Sequence, residues 1–100
     1  MIKPLIMRLE ATDTTGQRYL EVADAAVDIA VEELIEETIV PRLQLPRLDS
    51  TGRRLTYHAL LDRESRHLHA SEIVGEACLP NDRLILQPDI DAGSGIAGDR

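Results

Sequence analysis

A chain of 100 residues holds one modest core, burying roughly 60 to 65% of the surface its unfolded form would expose. Leu, Ile and Val must build that core, because Tyr19 and Tyr57 are the only aromatic residues; a wide aromatic-lined ligand cavity is not expected. A formal net charge of -7 repels phosphate backbones and argues against nucleic acid as a partner. The single cysteine, Cys78, excludes an internal disulfide. The first ten residues are too short and too charged for a signal peptide, and no apolar run approaches the roughly 18 residues of a membrane span, so a cytoplasmic protein is expected.

From Ile2 to Ala11 the sequence alternates, with Leu5, Met7 and Leu9 on one face and Pro4, Ile6 and Arg8 on the other, the period of a half-buried strand. Turn formers fill Thr12 to Gly16. Alternation resumes from Gln17 to Val22, where Leu20 and Val22 oppose Tyr19 and Glu21, predicting a hairpin. Asp24 reads as a helix N-cap. Val27, Val31, Leu34, Ile35, Thr38 and Ile39 follow at three- and four-residue spacing, with acidic residues mostly opposite, so one long amphipathic helix is expected from Ala25 to Val40, ended by Pro41.

Asp49 to Gly52 reads as a turn, and Arg53 to Leu61 as a third strand with Leu55, Tyr57, Ala59 and Leu61 against Thr56, His58 and Leu60. A short strand is expected over Arg66 to His69 and a helical turn over Ser71 to Leu79. Pro80-Asn81-Asp82 then delivers a last strand, Arg83 to Gln87, with Leu84 and Leu86 inward and Ile85 outward. Residues 1–87 thus form the domain. Residues 88–100, rich in Pro, Gly and Asp, bury too little to offset their ordering entropy and are expected to be a flexible tail.

One amphipathic helix between a hairpin and three further strands makes an α+β domain, most economically a mixed sheet of about five strands wrapped over the helix. That order resembles the β-grasp fold. Leu20-Glu21-Val22 is similar to the second strand and helix entry of ubiquitin, and Leu79 to Leu86 to the turn and final strand of ubiquitin-like proteins. Its Asn81-Asp82-Arg83-Leu84 core resembles the bacterial YukD-like branch found in type VII secretion loci and conjugation operons. The resemblance spans roughly Ile2 to Gln87.

The resemblance implies a non-enzymatic protein modifier, processed at a C-terminal glycine and passed through activating-like and conjugating-like enzymes to target proteins. Gly93, Gly95 and Gly98 are the candidate termini, and a peptidase must expose whichever is used, since Asp99 and Arg100 follow. The alternative is a non-conjugated YukD-like accessory subunit of a type VII-like secretion system; a third reading is a regulatory adaptor. By the same analogy the partner-binding sheet face is Ile6, Thr56, His58, Ile85 and Gln87. Lys3 is the only lysine beside ten arginines, leaving few acceptors for self-linked chains.

No cofactor is expected. His67 and His69 can share a strand face but lack a third metal ligand at a typical spacing. Cys78 has only Arg83 as a basic neighbour and reads as a structural thiol. The acidic residues from Glu32 to Glu37 read as a solvated face.

Overall fold

The computed structural model describes residues 5–89, and in them the alternating segments form one mixed sheet. The first strand, β1 (Ile6–Asp13), pairs antiparallel with β2 (Tyr19–Ala26). The turn between them is held from within: the Asp13 carboxylate accepts from the Thr15 hydroxyl at 2.9 Å, and Gly16 takes a φ of 76° that favours glycine.

The strand β2 outlasts the expected Val22 because it bulges. Met7 faces Ala25 while Leu9 faces Val22, so Ala23 and Asp24 together stand against Arg8. The extra residue lets Val22 and Ala25 both point into the core, at 0% and 2% exposure. Asp24 is therefore not a helix cap. It lies exposed in the strand, with Oδ1 3.6 Å from Arg42 Nη1.

The helix is shorter than expected and displaced toward the C-terminus. It runs over residues 31–43 as α1 (Val31–Leu34), a π-helical turn (Ile35–Ile39) and α2 (Val40–Leu43). No side chain caps its start. The free amides of the first turn are met by backbone instead: Val31 N–H donates to Glu72 O at 2.7 Å and Glu32 N–H to Ala70 O at 3.0 Å, which no local capping signal reveals. Pro41 does not end the helix. It occupies the first turn of α2, and the wider π-helical turn ahead of it makes room for the ring and the missing amide. The stop comes at Gln44, in the left-handed region at φ 58°. There Gln44 N–H bonds Pro41 O (3.2 Å) and Leu45 N–H bonds Val40 O (3.1 Å), the two closing bonds of a Schellman motif.

Residues 44–56 form a loop around Asp49, whose Oδ1 accepts from Thr51 and Arg53. The third strand consequently begins at Tyr57 and not at Arg53: β3 spans Tyr57–Leu61. Then come β4 (Arg66–His67), one helical turn α3 (Val74–Ala77) and β5 (Arg83–Pro88), which ends one residue beyond the expected domain limit. Gly75 lets α3 close on the turn after β2: its N–H donates to Val27 O at 2.8 Å, and a Cβ there would lie 2.8 Å from Val27 Cβ.

Sheet order is β2-β1-β5-β3-β4. The last strand among the described residues lies between the first and third, parallel to β1 and antiparallel to β3. Inward residues Leu9, Val22, Ala59, Leu61, Leu84 and Leu86 meet Val31, Leu34, Ile35 and Ile39 from the helix in one core. No helix among the described residues is long and apolar enough to cross a membrane.

Candidate functional site

The helix covers one face of the sheet, and the strand registers write out the other in rows. Thr12 is the cross-strand partner of both Tyr19 and Ile85, Ile85 faces Leu60, and Leu60 faces His67. An apolar-centred row, Tyr19-Thr12-Ile85-Leu60-His67, therefore crosses all five strands, about 19 Å at the usual strand spacing. Tyr19 is exposed, and Ile85 and Leu60 are half-buried.

Beside it runs a charged row. Glu10 faces Glu21 on one side and Arg83 on the other. Arg8 pairs with Glu21, Arg83 Nη2 lies 3.2 Å from Glu10 Oε1, and Asp62 extends the row by donating its N–H to Arg83 O at 3.0 Å. Between the two rows and the β1–β2 turn lies an open groove of about 400 Å³ lined by Thr12, Tyr19, Asp62 and Ile85 among others.

On the opposite flank His58 faces Gln87, with Nε2 3.1 Å from Gln87 Oε1. Its Nδ1 lies 2.6 Å from Asp89 Oδ1. The Thr56 hydroxyl donates to Asp89 Oδ2 at 3.0 Å, and Asp89 N–H donates to Thr56 O at 2.8 Å. The His67 ring stands 5.0 Å from that of His58.

Four of the expected face residues, Thr56, His58, Ile85 and Gln87, are thus brought together. Ile6 is not. It precedes Glu10 by four residues, two repeats of the pleat, on β1, while Gln87 lies equally far beyond Glu10's partner Arg83, which separates the two by about 26 Å along the strands. Leu60, Tyr19, His67 and Asp89 belong to the face and were missed. Leu60 shares the phase of His58 and Tyr19 that of Glu21, so alternation alone could have added both. Asp89 had no such signal, because Pro88 reads as the end of a strand.

Each residue of the Asn81-Asp82-Arg83-Leu84 motif has a structural task. Asn81 takes a φ of 70° and is locked to β1: its N–H donates to Arg8 O at 2.7 Å, and Oδ1 accepts from Arg8 Nη1 at 2.8 Å. Asp82, 6% exposed, receives a fork from Arg63, Nε to Oδ1 at 2.8 Å and Nη2 to Oδ2 at 3.0 Å, and accepts Leu79 N–H at 2.7 Å. The bonds from Arg63 hold its carboxyl below the usual range, against the opposing effect of burial. Arg83 serves the charged row, and Leu84 is fully buried.

Cys78 is buried, and that burial pushes its thiol up to about 11, so it is protonated at neutral pH and inert as a nucleophile. His69 stands apart from the two paired histidines, its N–H donating to Glu72 Oε2 at 2.7 Å. Among the described residues no three His, Cys, Asp or Glu side chains group as metal ligands. Gly93, Gly95 and Gly98 lie outside the described residues. No family model and no curated protein sequence matches the chain.

Proposed function

We propose that this chain is a ubiquitin-like β-grasp protein that works as a protein modifier in the cytoplasm: its outer sheet face is the surface partners hold, and a C-terminal glycine is the group they attach. The observation that carries this reading is the position of β5. Among the described residues the last strand is central in the sheet, and its end is tied at Asp89 to Thr56 and His58, on the side of the sheet the helix leaves uncovered.

The chemistry asked of the chain is small. After a peptidase exposes Gly93, Gly95 or Gly98, the glycine carboxylate attacks the α-phosphate of ATP held by an activating enzyme, forming an acyl adenylate and releasing pyrophosphate. A nucleophile of the enzyme then displaces AMP from the acyl carbon, and an amine of the target displaces that nucleophile in turn, leaving an amide. Glycine suits this end because it presents no Cβ to a narrow channel.

Intact-mass measurement of the protein from its native host tests the proposal. Truncation to one of the three glycines, with adducts of higher mass, is the expected result. A chain retaining Arg100 with no adducts overturns it in favour of a non-conjugated docking subunit of a type VII-like secretion machine.

A further inference from the structure

We propose that His58, His67 and the amide oxygen of Gln87 form a site for a borderline divalent cation, Zn²⁺ above all, with Asp89 behind it as the group that orients His58. The site lies on the outer face of the sheet and is independent of attachment through glycine.

Strand register assembles what the sequence keeps apart. His58 lies on β3, His67 on β4 and Gln87 on β5. His58 faces Gln87 directly, and His67 faces Leu60, which shares the outer phase of His58 on β3. The spacing suits a shared cation. Donor atoms about 2.1 Å from one zinc ion, at angles of about 90 to 110°, lie about 3.0 to 3.4 Å from each other. His58 Nε2 and Gln87 Oε1 are 3.1 Å apart. By the same geometry two imidazoles on one ion have ring centres about 4.6 to 5.3 Å apart, and those of His58 and His67 stand 5.0 Å apart. The third donor is an amide oxygen, so the site requires no third His, Cys, Asp or Glu ligand, and none groups there among the described residues. Water completes the coordination, which makes the site labile.

The hydrogen bonds around His58 leave one ring nitrogen ready to bind. Nδ1 lies 2.6 Å from Asp89 Oδ1. A carboxylate only accepts, so the one N–H of a neutral imidazole sits on Nδ1 and the lone pair on Nε2. That lone pair faces the Gln87 oxygen, acceptor against acceptor, and a cation bound to both relieves the opposition. Asp89 is itself held, accepting from the Thr56 hydroxyl at 3.0 Å and donating its N–H to Thr56 O at 2.8 Å. A carboxylate on the far nitrogen is the usual support of a zinc-binding histidine, fixing its tautomer and strengthening it as a donor.

The test titrates the tag-free, ¹⁵N-labelled full chain with zinc chloride and reads the histidine ring nitrogens. Before metal is added, His58 should carry its proton on Nδ1. Zinc should then move the ring signals of His58 and His67 and leave those of His69 in place, and magnesium chloride should move none. Hydrogen exchange should slow at Leu68, whose N–H donates to Ala59 O, because the ion ties the edge strand β4 to β3 and β5. His67→Ala, on an exposed edge strand of two residues, should keep the fold and weaken zinc binding by more than about tenfold, and Asp89→Asn should weaken it by about tenfold. His69→Ala should bind as the parent does. Four results would overturn the inference: no binding at millimolar zinc, a His58 ring protonated on both nitrogens at neutral pH, unchanged binding by His67→Ala, or shifts centred on His69 or on Glu32 and Glu33. Because the metal is added to unattached protein, each of these leaves the glycine reading standing.

Discussion

Two aspartates bracket β5, and they are held by opposite means. Asp82, just before the strand, is buried beneath a forked Arg63 and also binds the Leu79 amide. Asp89, just after it, is 43% exposed and is held by a threonine hydroxyl and a histidine. The same carboxylate is structural at one end and adjustable at the other, because burial sets how much of each interaction survives competition from water.

The sharpest way to probe that contrast is to remove the carboxylates singly. Asp82→Ala should cost about 2 kcal/mol of unfolding free energy, since it leaves the Leu79 amide without its acceptor and removes the forked bonds from Arg63; urea denaturation measures it. Asn81→Ala should cost about 1 kcal/mol, because alanine strains the left-handed backbone that asparagine tolerates, and the bond to Arg8 goes with it. Asp89→Ala should cost only about 0.5 kcal/mol while loosening the end of β5, read as faster hydrogen exchange at Gln87 and Asp89. Equal losses at positions 82 and 89 would erase the distinction.

Acid offers a finer probe. Arg63 lowers the folded-state pKa of Asp82, so the folded protein binds fewer protons there than the unfolded chain does. The resulting stability is complete above the unfolded carboxyl value of about 3.9 and is lost as pH falls through the lower folded value. Glu64 and Glu72 are shifted in the same direction by Arg66 and by the His69 amide respectively. An Asp82→Asn variant should therefore lose stability less steeply below about pH 4 than the parent.

Much of this contrast was legible in the sequence at one end and not at the other. A polar turn followed at once by alternating Leu84 and Leu86 announces a strand with one buried face, and the structure has it. Thr56, His58, Ile85 and Gln87, which the resemblance to ubiquitin set on one outer face, lie near one another there. What stayed hidden depends on contacts between distant segments. Asp24 looks like a cap, but a bulge keeps it in β2, and the helix start is closed by the backbone of Glu72 and Ala70. Pro41 looks like a stop, but the π-helical turn before it absorbs its ring. Ile6 alternates in phase with the face residues, yet β1 and β5 pair only from Glu10 onward, a register that no local pattern encodes.

The placement of β5 also bears on how the protein is made. A ribosome delivers the hairpin of β1 and β2 and the helical residues 31–43 well before Arg83–Pro88, yet both central ladders of the sheet need that late segment. Until it emerges, Ala11 and Ala59 lack their partners Leu84 and Leu86, and neither central ladder can close. Folding should accordingly be limited by this long-range closure.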